Sequence, residues 1–415
     1  MTPNPASLPR LLATVGRPDL RSHVDHWGHR PRGRQSLVSE IGRSRLGGRG
    51  GAGFPTAIKW AAAASHGGSV IVANGTEGEP ASNKDKTLLV HAPHLVLDGA
   101  VLAAEALGGS EVIVCVDRAA GAAVRAVTHA ISERARHRYD PVPVRLEATR
   151  PGYVSGEETA LVNWLNGGDA KPTFGRRPFE RGVGGRPTLV NNVETLANVA
   201  LIGRFGAQWF AAQGTEASPG TALVTVSGDV SHPAVYEVPC GAALSEVIRP
   251  AGPTSPPQAV LIGGYAGTWL AGPALEEARL DAASLQMTGA SLGCGSIVVL
   301  GERSCGLKAT AAIGQWMAGQ SAGQCGPCVH GLPTLADAVS RLVPQGAPKR
   351  WASQIDRWLW MVEGRGACKH PDGVARMVRS GLQAFAGEVQ RHRQSGDCGL
   401  PAPPLPLPRY SEVMA

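Results

Sequence analysis

The chain has 415 residues, enough for two to three domains at about 150 residues each and for a sizeable buried core. Lys and Arg number 40 against 33 Asp and Glu, a net charge of +7 with no long basic block, and only 5% of residues are aromatic, which excludes a nucleic-acid specialist. Gly 54 and Pro 32 fall short of the share typical of low-complexity disorder.

No apolar run approaches the roughly 18–20 residues of a membrane span. Residues 11–13 are too short for the core of a secretion signal. Eight cysteines in such a chain predict thiol, metal or redox work in the cytoplasm rather than a disulfide framework.

Residues 1–35 are rich in Pro, Arg and His and predict a loosely structured basic arm. His23, His26 and His29 recur every third residue, but no thiol or carboxylate completes a metal set, so a solvated segment is expected. From 36 to 219, strand-like runs at 69–73, 111–116 and 142–146 alternate with helix-like runs at 54–66, 94–107, 121–138 and 193–213. That alternation predicts an α/β domain with a largely parallel sheet. Residues 220–300 predict a small β-rich module, with strands at 221–227, 235–238 and 260–263. Residues 301–395 return to helical periodicity at 308–320, 332–342 and 350–362, a bundle. The Pro-rich tail at 396–415 predicts extended chain.

Five segments carry chemistry. The loop Gly47-Gly48-Arg49-Gly50-Gly51-Ala52-Gly53-Phe54-Pro55-Thr56 leads into a helix bearing Lys59. Its glycines let backbone N–H groups approach a phosphate or planar ring, and the helix start adds partial positive charge. The segment Asn74-Gly75-Thr76-Glu77-Gly78-Glu79-Pro80 follows a strand, where open α/β sheets bind ligands. Tyr153-Val154-Ser155-Gly156-Glu157-Glu158-Thr159 opens a helix, with Ser155 and Thr159 as cap candidates and both glutamates in the first turn. Asn191-Asn192-Val193-Glu194-Thr195 opens another; capping alone also explains both. Cys325-Gly326-Pro327-Cys328, with Cys368 forty residues on, suits a metal centre; a thioredoxin-like dithiol and structural zinc are the rival readings. Cys115, Cys240, Cys294 and Cys305 sit in or near apolar runs and read as buried structural residues.

Taken in order, these segments resemble the NADH-binding flavoprotein subunit of respiratory complex I and the related flavin subunits of NAD-linked hydrogenases and formate dehydrogenases. GRGGAGFPTAIKW, NGTEGEPASNKD, GYVSGEETAL, GGRPTLVNNVETLANV and CGPC…C carry the resemblance over most of 45–370. It implies a Rossmann-like FMN/NADH domain (36–219), a ubiquitin-like β-grasp module (220–300) and a helical bundle carrying a [4Fe–4S] cluster (301–395). It implies that residues 48–57, including Gly48, Arg49, Gly50, Gly51, Ala52 and Gly53, line the NADH site, with Phe54 on the adenine and Lys59 near the flavin. By the same resemblance Asn74, Glu77, Gly156, Glu157, Asn191, Asn192 and Thr195 are expected to hold FMN, Tyr153 to join the cofactor set, and Glu79 and Glu158 to face the dinucleotide. The resemblance further implies that hydride passes from NADH to FMN and that electrons leave singly to an iron–sulfur acceptor protein. The implied place is cytoplasmic, peripheral to a membrane complex without insertion. NADH against NADPH stays open.

Three departures stand out. Ala322 occupies the position of the family's first cluster cysteine, leaving Cys325, Cys328 and Cys368, with His370, Asp372 or Cys398 as candidates for the fourth ligand. Thr76 replaces an acidic residue of the flavin loop, and Ala61 to Ala64 replace a second aromatic after Trp60. The alternative reading is a cluster-deficient regulatory or partner-binding homologue. A dithiol oxidoreductase ranks below it.

Overall fold

Val70, Ile71, Val72 and Ala73 are wholly buried, the continuous apolar run of a strand covered on both faces. They open β1 (Val70–Gly75), which a computed structural model of the chain, describing residues 7–65, 67–175, 177–344 and 351–408, places inside a four-stranded parallel sheet. β2 (Glu111–Asp117) is equally buried, whereas the edge strand β3 (Val144–Thr149) alternates polar and apolar residues; β4 (Thr188–Asn192) lies on the other side of β1. The order is β3-β2-β1-β4, with Val70 in register with Glu111 on one side and Thr188 on the other.

The chain divides into two compact units: Met1–Gly78, Asn83–Leu223 and Glu237–Gly241 in one, Glu79–Ser82, Val224–Tyr236 and Ala242–Ala415 in the other. In the first, the sheet is joined by α1 (Leu20–Trp27), α2 (Ser36–Ser44), α3 (Thr56–Ala64), α4 (Lys84–His91), α5 (Pro93–Leu107), α6 (Gly121–Arg136), α7 (Glu158–Leu165) and α8 (Val193–Ala211). All but one residue of α5 are buried, which makes it the core helix.

The expected loose arm is instead partly built. Asp19 caps α1 by accepting from the Ser22 N–H, and Leu20, His23 and Trp27 are buried on one face of the helix. His23 Nε2 lies 2.8 Å from Asp98 Oδ2, and Asp98 also binds Arg134 and Arg204. Although burial opposes it, Arg134, His23 and Arg204 hold the Asp98 carboxyl well below the usual carboxylate range. His29 stacks on Tyr139. The histidine spacing thus serves packing and an internal charge network. Residues 1–6, 66, 176, 345–350 and 409–415 lie outside the described residues.

Mostly within the second unit, β5 (Thr221–Gly228), β6 (Ala234–Pro239), β7 (Pro257–Ile262), β8 (Thr268–Ala271) and β9 (Ser296–Gly301) form a mixed sheet ordered β6-β5-β9-β7-β8. The first and last strands are parallel neighbours at its centre, while β7 runs antiparallel to both β8 and β9. That is the β-grasp arrangement, with short helices α9 (Leu244–Ile248), α10 (Pro273–Glu276) and α11 (Ala282–Met287) between strands. α12 (Gly306–Gly319), α13 (Leu332–Ser340), α14 (Trp351–Val362), α15 (His370–Ala384) and α16 (Ala386–Ser395) form the helical part; the sequence pattern had left α15 and α16 unread. Among the described residues no single helix is long and apolar enough to cross a membrane.

Candidate functional site

Between β1 and β4 the strand order reverses, and at such a switch point open α/β sheets leave a crevice at the strands' carboxyl ends. The residues there are Asn74 and Gly75 on β1 and Asn191 and Asn192 on β4, with Ala73 paired to Asn191 and Asn74 to Asn192. Two sequence motifs therefore meet at one edge because the sheet puts them in adjacent register.

The glycine loop joins them. It is pinched shut by the Gly47–Pro55 bridge and by the Gly48 N–H donating to the Phe54 carbonyl at 2.9 Å. The Arg49 N–H donates to Thr195 Oγ1 at 2.8 Å, and a Cβ on Gly50 would stand 3.2 Å from that of Asn192. Phe54 is about half exposed at the loop's end. The Arg49 guanidinium does not join the exposed loop: it donates to the Thr221 carbonyl at 2.9 Å and sits 3.8 Å from Glu194. From α3, the Trp60 indole donates to Asn191 Oδ1 at 2.9 Å and Lys59 pairs with Glu158.

The Tyr153–Thr159 segment closes the other side. Asn74 Nδ2 donates to the Gly156 carbonyl at 2.9 Å, and a Cβ on Gly156 would come within 2.6 Å of the Thr76 carbonyl. Only glycine permits that approach. Glu157, rather than Ser155, caps α7, accepting from the Thr159 and Ala160 N–H groups. Asn192 caps α8, accepting from the Glu194 N–H. Glu77 accepts from the Asp85 and Lys86 N–H groups at the start of α4. The Thr76 and Thr149 hydroxyls share a hydrogen bond of 3.1 Å, a bond within the fold where an acidic residue was expected. Glu79 falls in the second unit, where it accepts from the Tyr265 N–H at 2.8 Å and the Ala81 N–H at 3.1 Å.

Lys84 and Asp85 escaped the sequence reading, which also gave Glu194 no role of its own. Lys84 Nζ lies 2.7 Å from Asp85 Oδ1 and 2.9 Å from Glu194 Oε2, all buried, and Asn192 Nδ2 donates to Asp85 Oδ2 at 2.7 Å. Burial alone would lower the Lys84 pKa, but Asp85 and Glu194 more than offset it and keep the ammonium charged. Burial pushes the Asp85 carboxyl up, against the pull of Lys84. The available signal was Asn83-Lys84-Asp85, which ends the NGTEGEPASNKD stretch just before an apolar run.

In the second unit, Cys325 lies two residues before a wide helical turn, Pro327–Gly331, that contains Cys328, and Cys368 lies two residues before the start of α15. Although burial opposes it, the Ala367 and Cys328 N–H groups and the Cys328 thiol lower the Cys325 pKa, while burial beside Cys325 pushes Cys328 up to about 12. Cys368 is close enough to add to that rise. Each of the three proposed fourth ligands has a partner of its own. His370 Nε2 bonds the Met317 carbonyl at 3.0 Å; Asp372 accepts from the Gly364 N–H and Lys369 Nζ; Cys398 is drawn to Cys305 and His392. None of the eight cysteines, all described, forms a disulfide.

The crevice, with close-approach glycines and an amide pair, fits a planar cofactor with a phosphate. The thiol trio fits an iron–sulfur cluster except at one corner. Together with the β-grasp sheet they define a flavin-dependent, iron–sulfur-linked NADH oxidoreductase.

Comparison with known proteins narrows the class. Residues 41–201 match the Nuo51 FMN-binding domain, and residues 308–392 the NADH-ubiquinone oxidoreductase-F iron-sulfur binding region. An NADH-quinone oxidoreductase F subunit of Rhizobium meliloti is 31% identical over 87% of this chain and 90% of its own length; that of Rickettsia bellii is 32% identical over 88% and 91%. Among solved structures, an air-oxidized NAD+-reducing [NiFe]-hydrogenase superposes with a TM-score of 0.79 at 30% identity over 86% of this chain, which spans 63% of that hydrogenase chain. The chain belongs to the family of NADH-quinone oxidoreductase F subunits. It is an NADH dehydrogenase-type flavoprotein of electron transfer, with an FMN-binding domain and a 4Fe-4S-binding region.

Proposed function

We propose that FMN lies in the crevice where β1 and β4 end, held by Asn74, Gly156, Asn191, Asn192 and Thr195. NADH is received against Gly48–Phe54, with Lys59 and Glu158 beside it. Bound FMN supplies the hydride acceptor and the step from paired to single electrons; the protein supplies binding, orientation and exclusion of water. The backbone of the glycine loop offers N–H groups to phosphate. Glu77 and Glu157 act indirectly, by fixing the starts of α4 and α7. Lys84 keeps positive charge beneath the crevice for a flavin that gains negative charge on reduction. We assign 36–219 to flavin and NADH, 220–300 to the β-grasp module and 301–395 to the cluster. The electron acceptor is an iron–sulfur partner subunit of a cytoplasmic assembly, peripheral to a membrane in complexes of the respiratory type.

The observation that carries this reading is the convergence of the glycine loop and the paired asparagines, through Arg49 N–H to Thr195 and Gly50 against Asn192. Anaerobically purified protein should be yellow and bleach with NADH. Protein that stays flavin-free after addition of FMN would overturn it.

Ala322 and the diverted candidates favour a second reading, a homologue that keeps flavin but holds no complete cluster. Iron and sulfide analysis with electron paramagnetic resonance after anaerobic reconstitution separates the two: about four irons per chain refutes it.

A further inference from the structure

Beyond the flavin crevice and the thiol trio, a second group of metal-ligating side chains lies in the second unit. Cys305 Sγ, a His392 ring nitrogen and Cys398 Sγ all lie within 4.8 Å of one another. Cys305 and His392 are buried, and Cys398 is half-buried. They come from three separate segments: the N-cap of α12, the last turn of α16, and the tail.

Acceptors crowd the Cys305 sulfur, which itself accepts from the Lys308 N–H at 3.4 Å. His392 Nδ1 donates to the Val343 carbonyl at 2.8 Å, which fixes the tautomer and leaves the Nε2 lone pair facing Cys305 Sγ at 3.4 Å. On the other side of that sulfur, Glu388 Oε2 lies at 3.2 Å and accepts from the Leu307 N–H at 3.0 Å. The Cys305 thiol proton therefore faces both an imidazole lone pair and a carboxylate, with the Cys398 thiol beside it. Glu388 is 3% exposed, and its Oε1 is buried with no hydrogen-bond partner. An excess of buried acceptors of this kind is costly unless a cation satisfies it. A ring nitrogen oriented by a backbone carbonyl is also the usual support of a metal-bound histidine.

We propose that Cys305, His392 and Cys398 bind a divalent cation of the zinc class, separate from the iron–sulfur thiols. Two thiolates and an imidazole select a soft, tetrahedral ion over calcium or magnesium. Binding releases the two thiol protons to solvent, and the two thiolates balance the cation's charge. Three protein ligands leave a fourth tetrahedral position, beside which Glu388 holds Cys305. No electron changes hands: the ion ties the tail to the start of α12, where the Cys305 N–H already donates to the Pro401 carbonyl at 2.7 Å and Lys308 Nζ to the Leu400 carbonyl at 2.7 Å.

The test is zinc and iron content of the full chain, loaded with zinc chloride and desalted, in the parent and in Cys398→Ser, His392→Gln and Cys368→Ser. Expected is about one zinc per chain in the parent, a loss of roughly ten-fold or more in the first two variants with flavin retained, and unchanged zinc in Cys368→Ser. Cobalt in place of zinc should give thiolate charge-transfer absorption that His392→Gln diminishes, a readout independent of metal retention during desalting. A parent that retains no zinc, zinc that survives Cys398→Ser at the parent level, or zinc lost in Cys368→Ser instead would overturn the proposal.

Discussion

The sheet edge of the first unit and the cysteine turn of the second are built on different terms. At the edge, many contacts use backbone or a capping side chain: Arg49 N–H to Thr195, Asn74 to the Gly156 carbonyl, Glu157 and Asn192 on helix starts. Replacement of one residue, as at Thr76, leaves the frame standing because Thr76 finds Thr149. At the cysteine turn the donors are the side chains themselves, and Ala322 stands where the resemblance would place one more. A ligand cradle made of backbone tolerates sequence drift; a ligand set made of thiols does not.

That contrast can be broken by experiment. The largest effect should come from Lys84→Met, which leaves Asp85 and Glu194 buried without their cation. We expect a loss of about 3–5 kcal/mol in the first unit, read from denaturant midpoints, with flavin retention lost alongside. If Lys84→Met bound flavin with parental stability, the edge would not depend on that charge. Gly156→Ala pushes a methyl against the Thr76 carbonyl and should cost about 1–3 kcal/mol, seen as at least a several-fold weaker FMN dissociation constant by flavin fluorescence.

Acid should weaken the first unit through His94, whose pKa burial lowers from 6.5 to about 3, with Arg134 adding to the shift. The folded form favours neutral imidazole, so its contribution is intact above the unfolded value near 6.5 and erodes as pH falls towards 3. The slope is up to about 1.4 kcal/mol per pH unit. Melting temperatures of His94→Gln should fall less steeply than those of the parent between pH 6.5 and 4. The smallest effect on stability belongs to Lys59→Ala: its partly exposed pair with Glu158 is worth about 0–1 kcal/mol, so melting should barely move while KM for NADH rises. An unchanged KM would remove Lys59 from the dinucleotide site.

The parallel sheet was legible because β1 and β2 are uninterrupted apolar runs between helical periods, and four of the five motifs contribute residues to its β1–β4 edge. The β-grasp module was legible only as closely spaced strands, since its order depends on pairing between β5 and β9, some seventy residues apart. The α1 segment was missed because its apolar face is only Leu20, His23 and Trp27, and a histidine buried on an aspartate looks solvated in sequence. Lys84 and Asp85 were overlooked for the same reason: adjacent opposite charges read as surface until the fold encloses them. Cys305 reads correctly as buried, but its partners lie more than eighty residues downstream, beyond any local spacing rule.

The bridge from Gly47 to Pro55 has a kinetic corollary. A glycine-rich tether free at both ends would forfeit much disorder each time a dinucleotide arrived. Here the ends are already knotted, one hydrogen bond inside the other, and the indole of Trp60 latches the following helix to β4. The ring of residues left between has little freedom to surrender, so capture and release of a passing coenzyme can be quick without being loose.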